Sequence, residues 1–300
     1  MSAYVDRPIT DRNRAEALAR SAARAWRLPE PSPLRYGMNA VFTAGDEVLR
    51  VATPNGPASA LHAVVGVLSA HGVPTVTPSR EDLLVDGDMV VTAWRRLHET
   101  GEPADWSTVG AAVRRLHACR RVDLPAQFPL ASPLDLPWWN FEQQLAASAP
   151  IDEAARRGIV SAIDQHEAWL DPATWSERGV PAVVCHGDIH PGNVTSTSNG
   201  PVIVDFDLMA HAPAAWDHAP LMTWTKRWGG AAGMYEDFAD GYGASFRGDP
   251  AAEAFATLRL VAATLMRGVV ARSDPQAQRE FERRLRYWRN EPRAPMWQAV

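Results

Sequence analysis

Along the first hundred residues the apolar positions change their period several times. From Asp11 to Trp26, Ala and Leu recur at three- and four-residue spacing, which predicts an amphipathic helix lying against the first lobe. Leu34 to Phe42 then reads as two strands around a bend at Gly37, and Gly45-Asp46 turns the chain into Glu47-Val48-Leu49-Arg50-Val51-Ala52. That is a β-meander. In its third strand, period two places Val48, Arg50 and Ala52 on one face and Leu49 and Val51 on the other. A helix is predicted over 58–71, followed by a hairpin around Asp86-Gly87-Asp88 whose second strand, Met89 to Trp94, is apolar enough to be central. Periodicity ends at Glu99-Thr100-Gly101-Glu102-Pro103, so the chain divides near residue 96 into units 1–96 and 97–300.

The second unit is mostly helical in pattern. Its first helix is predicted over 107–119, capped by Ser107, with Val109, Ala112, Val113 and Leu116 on one face. Another begins at Pro137-Trp138-Trp139-Asn140, and a longer one covers 151–170. Helices over 233–246, 250–272 and 276–290 close the chain; the last has an Arg-rich, Glu-spotted face that reads as solvated. The tail 292–300, with Trp297, is expected to fold back. The fold class is therefore α+β, a small meander-plus-helix unit ahead of a larger helical one.

Between the helices stands a different kind of segment. Val183-Val184-Cys185 and Val202-Ile203-Val204 are strand-like runs, and Gly187, Pro191 and Gly192 forbid a helix through the polar loop after the first. Asn199-Gly200 is a hairpin signal, and pairing across it sets Val194 opposite Asp205. Asn193 then lies at the open end of the hairpin within reach of Asp205, with Asp188 nearby. Such hard oxygen ligands suit magnesium, which takes its remaining ligands from water and phosphate. Three other readings compete for these letters. His186 and His190 have the two-histidine spacing of a zinc protease, but that site needs a helix and a glutamate beside the first histidine, where Gly187 stands. A dimetal hydrolase needs further Asp/His clusters on strand ends, and none is found. A plain hairpin with polar ends also fits.

Composition narrows the partners. A net charge of −5 over 300 residues, with pI about 6.0, argues against nucleic acid or an anionic membrane as the main partner. Cys119 and Cys185 are the two cysteines, and their predicted placement in a helix and a buried strand argues against a structural disulfide. Met1 to Arg24 is charged throughout, and no run reaches the roughly 18 apolar residues of a membrane helix, so a cytoplasmic location is expected.

His186-Gly187-Asp188, with Asn193 five residues after the aspartate, followed by Asp205-Phe206-Asp207, resembles the catalytic signature of the aminoglycoside phosphotransferase family, which is similar in fold to protein kinases. The resemblance implies a protein-kinase-like bilobal fold with ATP and Mg2+ in the cleft and a small-molecule hydroxyl as acceptor. It implies that Asp188 is the catalytic base, that His186 braces the loop, and that Asn193 and Asp205 hold the metal. Arg50 stands where kinases place a phosphate-binding lysine, Gly37 and Asn39 where a glycine loop covers the nucleotide, and Thr92, Ala93 and Trp94 where the adenine hinge lies. Asp207 and Asp217 are implied as structural acids. Leu116-His117 matches a family pair, yet a lone histidine on an apolar face reads as core. One departure stands out: no acid occurs between Glu47 and Glu81, where a kinase helix would offer a glutamate to the basic strand residue. Arg50 must find a partner elsewhere, meet the phosphates directly, or be solvated. That gap keeps a nucleotide-binding pseudokinase as the alternative. Acceptor contacts are expected among Trp138, Trp139, Trp224, Glu236 and Asp240, by location.

Overall fold

The computed structural model describes residues 6–298 apart from 129 and 131. Strands β1 (Ser32–Tyr36), β2 (Ala40–Ala44), β3 (Glu47–Ala52), β4 (Leu84–Asp86) and β5 (Met89–Arg95) form an antiparallel sheet in the order β1-β2-β3-β5-β4. Helix α1 (Arg12–Ala25), capped by the Asp11 side chain, covers one face. Its buried stripe is mostly alanine, which lets the helix approach Phe42, Leu49, Val51, Val91 and Ala93 closely. Leu49 and Val51 thus point to α1, and Arg50 points to the opposite face, as period two requires.

Helix α2 (Ala58–Ala70) does not join that small core. Its buried residues, Ala60, Leu61, Val64, Val65 and Leu68, are continuous with the core of the larger lobe. The chain after α2 strengthens this tie, because Ile203 N–H donates to Pro74 C=O at 2.9 Å. The two lobes are sewn together at this point.

In the larger lobe, α3 (Trp106–Ala118) is capped by Asp105, whose carboxylate accepts from Thr108 N–H at 3.1 Å. Ser107, the predicted cap, lies inside the first turn. The Asp has the extended backbone a cap needs, and its side chain reaches the third helical residue. Helices α4 (Phe141–Ala147), α5 (Glu153–His166) and α6 (Pro172–Glu177) precede β6 (Ala182–Cys185). Next come the hairpin β7 (Val194–Thr197) and β8 (Gly200–Ile203), strand β9 (Ala210–Pro213), which pairs with β6, and helices α7 (Ala215–Arg227), α8 (Met234–Tyr242), α9 (Pro250–Val270) and α10 (Pro275–Trp288).

The face of α10 expected to be solvated is partly buried. Glu280 and Arg284 are each 3% exposed and pair at 2.9 Å, because the tail folds back and lays Trp297 over the Arg284 guanidinium at 5.3 Å. Trp297 N–H donates to Arg227 C=O at 2.6 Å; residues 299 and 300 of the predicted tail lie outside the described residues. Among the described residues no helix is long and apolar enough to cross a membrane.

Candidate active site

Strand β6 delivers the chain into the core, and the loop after it is held from below by one carboxylate. Asp217, fully buried in the first turn of α7, accepts from His186 N–H and Gly187 N–H, both at 2.8 Å. His117 on α3 makes a third bond, Nε2 to the Asp217 carboxylate at 3.0 Å, while its Nδ1 accepts from the Tyr242 hydroxyl at 2.9 Å. Burial alone would raise the Asp217 carboxyl, but the His117 bond and the charge and amide groups around it hold it below its ordinary value. Gly187 is required where it stands: its φ is +94°, and a Cβ there would lie 1.9 Å from Leu208 C=O.

His186 is buried within the loop. Its Nδ1 accepts from Asp188 N–H at 3.2 Å, so the proton sits on Nε2, which donates to Val204 C=O at 3.0 Å. Burial pushes its pKa down and keeps the ring neutral. Both nitrogens are therefore committed to backbone. The ring of His190 instead stacks on Trp224, centroids 5.1 Å apart, so the two histidines do not converge on a zinc site.

Asp188 projects from this scaffold with its side chain 31% exposed. His190 Nε2 lies 3.3 Å from one oxygen and Arg259 Nη1 3.5 Å from the other. Burial opposes the charge, but the His190 hydrogen bond and the Arg259 charge outweigh it, and the pKa falls to about 2. Asp188 is ionised at any working pH. Arg259, on α9, also donates to Gly187 C=O at 2.5 Å and lies over the Trp216 ring at 4.4 Å. The sequence pattern assigns neither Arg259 nor His117 to this site. The one available sign of Arg259 is a charge inside the apolar run Phe255 to Leu265.

The hairpin pairs Val194 with Ile203 and Thr197 with Gly200, two residues away from the expected register. Gly200, at φ +102°, is already paired as the first residue of β8, leaving Ser198-Asn199 as the turn; the Thr197 hydroxyl closes it through Gly200 C=O at 2.8 Å. Val204 N–H still donates to Asn193 C=O at 3.0 Å, so the open end of the hairpin survives the shift. Asp205 follows in the left-handed region, φ 68°. Asn193, Asp205, Asp207 and Arg50 line one cavity of about 670 Å³ between the lobes. Asn193 Nδ2 also donates to Asp188 C=O at 2.9 Å, coupling the hairpin to the loop that carries Asp188.

Arg50 is neither solvated nor paired with α2. Its Nη2 bonds Asp207, and Asp6 at 2.5 Å. Turned with its oxygen toward Arg50, the Asn39 amide accepts from Nε at 3.1 Å and Nη2 at 3.2 Å. Burial and the nearby acids Asp6 and Asp205 push the Asp207 pKa up to about 7, against the pull of Arg50. Asn39 is buried and Gly37 closes the β1–β2 turn, its N–H donating to Asn39 C=O at 2.9 Å; neither lines the cavity.

The expected hinge needs relocation. Thr92 and Ala93 do not line the cavity: Ala93 is fully buried in the α1 core, its C=O accepts from Ser79 N–H at 3.0 Å, and Thr92 accepts from the Trp94 indole at 2.8 Å. Arg95 N–H is likewise committed, to Thr77 C=O. The edge of the cavity is Trp94 and then 95–99. Of the expected acceptor residues, Trp224 reaches the loop through His190. Trp139 is buried, 5.0 Å from Trp216, and Trp138 is half-buried core. Glu236 and Asp240 occupy the exposed side of α8, Glu236 paired with Arg247 at 2.7 Å.

The fold has counterparts. A family model described as the phosphotransferase enzyme family, APH, matches residues 40–256. Among solved structures, the GDP complex of wild-type aminoglycoside 2'-phosphotransferase-IIIa superposes with TM-score 0.66 at 14% identity, over 94% of this chain and 99% of that one. A choline/ethanolamine kinase family protein from Mesorhizobium loti gives 0.61 at 20%, over 93% and 95%. Aminoglycoside phosphotransferase APH(3'')-Id from Streptomyces rimosus, in complex with ADP and streptomycin, gives 0.57 at 18%, over 82% and 97%. A search of curated proteins by sequence finds no match. With the family model spanning more than two thirds of its residues and the kinase-like fold on both sides of the cleft, the chain belongs to the aminoglycoside phosphotransferase family of phosphotransferase enzymes.

Proposed function

We propose that this enzyme transfers the γ-phosphoryl group of ATP to a hydroxyl of a small molecule. The observation that carries the reading is Asp188, an ionised carboxylate with an open side, set beside a cavity lined by Asn193 and Asp205. Asp188 accepts the hydroxyl proton as the acceptor oxygen bonds the γ-phosphorus and the bond from that phosphorus to the β–γ bridging oxygen breaks, releasing ADP, and its charge orients the oxygen for in-line attack. A base with a pKa of about 2 is weak, but a loose transition state asks mainly for position. Arg50 meets the donor phosphates and neutralises part of their charge. The oxygen donors of Asn193 and Asp205 fit a magnesium ion, and beside them burial first, then the acids Asp6 and Asp205, raise the Asp207 pKa to about 7 against the pull of Arg50 and Arg35. Bound there, magnesium supplies charge neutralisation to the phosphates.

Several relatives by fold act on or bind aminoglycosides, and one belongs to a choline/ethanolamine kinase family. For this chain the residues around Asp188 favour a different balance. His190, Trp224 and Trp228 form a stacked column of rings, and Arg259 lies 3.5 Å from Asp188, whereas Glu236 is paired with Arg247 and Asp240 lies on the exposed side of α8. A polycation needs several carboxylates, and a ring face needs aromatic stacking. The preferred acceptor is a polyhydroxylated or ring-bearing molecule with at most one or two amines. An ADP-release assay with ATP and magnesium across sugars, amino alcohols, aminoglycosides and other antibiotics tests both statements. Asp188→Asn should abolish turnover and leave nucleotide binding intact; near-normal kcat in that variant overturns the assignment. Efficient turnover of a tetra-amino aminoglycoside overturns the acceptor class.

A further inference from the structure

We propose that Asp6, in the segment ahead of α1, is a positioning residue for Arg50 and takes the place of the acid that α2 lacks. Helix α2 offers Arg50 no counter-charge: its sequence has no acid, and its one histidine, His62, lies edge-on to Trp94 at 4.9 Å, where burial pushes the ring toward neutrality. Asp6 comes from the other side. Its side chain is 1% exposed, one oxygen takes Arg50 Nη2 at 2.5 Å, and the other oxygen has no hydrogen-bond partner among the described residues. A buried carboxylate with one oxygen unsatisfied is expensive, and the Arg50 pair is what offsets that cost. The segment is pinned to the sheet it serves, with Arg7 N–H donating to Thr53 C=O at 2.9 Å and the Arg7 guanidinium 3.0 Å from Asp88.

Position separates a brace from a plug. Arg50 and Asp207 line the cavity and Asp6 does not, so Asp6 sits behind Arg50 as seen from the nucleotide space. A nucleotide therefore reaches the guanidinium without displacing Asp6. Asp207 pulls the same Nη2 from the cavity side. Without Asp6 the neutral Asn39 amide opposes Asp207 only weakly, and the guanidinium shifts toward that carboxylate and away from the phosphates.

This inference rests on the nucleotide-site reading above, and the experiment separates the two. ADP affinity in the presence of magnesium is measured for the full chain and for Asp6→Asn, Asp6→Glu, Arg50→Ala and the Asp6→Asn, Arg50→Ala pair, with thermal melting as a check on folding. Asp6→Ser replaces Asp6→Asn if the latter does not fold. Asp6→Asn should weaken ADP about tenfold or more, the loss of a charge-assisted contact. Asp6→Glu should recover part of that, and in the Arg50→Ala background Asp6→Asn should add less than about twofold. With an accepted substrate, KM for ATP should rise more than KM for the acceptor. Wild-type ADP affinity in folded Asp6→Asn, or an undiminished effect without Arg50, overturns the role of Asp6. A wild-type protein that binds no nucleotide overturns the nucleotide reading and this inference with it.

Discussion

Asp217 holds two peptide N–H groups and a histidine with one carboxylate, and nothing else in the loop could take over those bonds. Asp217→Ala should therefore destabilise the protein by about 3–5 kcal/mol in urea unfolding, the cost of stranding buried polar partners, and should lower kcat through the displaced loop. A variant with full stability would show that water satisfies the amides. His117→Ala removes one bond and should cost less. Arg50→Ala should raise KM for ATP by the equivalent of about 1.5–3 kcal/mol, with little change for the acceptor; unchanged ATP kinetics would place Arg50 outside the phosphate site. Which of these residues can be read from the letters follows a physical line. Asp188, Asn193 and Asp205 share one short loop and hairpin, so their proximity is encoded by local geometry. Asp6, His117 and Arg259 reach the site from 44 to 157 positions away from the residues they or their partners hold, and no periodicity encodes that.

At the scale of elements, the meander, the amphipathic α1 and the helical second lobe are legible because each rests on a repeating apolar period. Where pattern and structure differ, the role of a residue or face is set by neighbours distant from the local period. Gly200 reads as half of a turn and is the first residue of β8; Ser107 reads as a cap and is preceded by Asp105; the polar face of α10 reads as solvated and is partly covered by the tail that folds back over it. The contact of α3 with α8 shows the same limit. Gly110 and Gly241 let the two helices touch backbone to backbone: a Cβ on Gly110 would lie 1.9 Å from Phe238 C=O, and one on Gly241 1.8 Å from Ser107 C=O. Tyr242, beside that crossing, holds His117 and through it Asp217. Gly241→Ala should therefore force the helices apart, costing at least about 1–3 kcal/mol of overpacking, and should reduce kcat although it touches no substrate. The pairing of a lowered melting temperature with a lowered kcat checks this; loss of stability alone would disconnect the helix crossing from the loop.

Across the whole molecule, the pH dependence of stability is set by a few buried groups that pull in opposite directions. His218 is fully buried among Tyr235, Phe238, Tyr242 and Phe246, its Nε2 has no hydrogen-bond partner among the described residues, and burial pushes its pKa from 6.5 to about 3. The unfolded chain takes up that proton near pH 6.5 and the folded chain does not until about 3, so His218 contributes stability above pH 6.5 that is lost as pH falls toward 3. Asp207 has the reverse sign: its folded pKa of about 7 stands above 3.8, so its contribution is present at low pH and lost as pH rises through 7. Between about pH 4 and 6.5 the two trends offset each other, and a flat wild-type curve would conceal both. The difference between wild type and His218→Leu isolates one of them. Replacing the ring with an apolar side chain removes the proton uptake by the unfolded state and leaves Asp207 untouched. Measured by urea unfolding at steps from about pH 7 to 4, the variant should gain on wild type as pH falls, by up to about 1.4 kcal/mol per pH unit for a single proton. The gain should begin near 6.5 whatever the offset at about pH 7, which also contains the repacking of the aromatic cage. A difference that stays constant across this range would mean that His218 takes up its proton equally in both states, and that the cage around it opens to water.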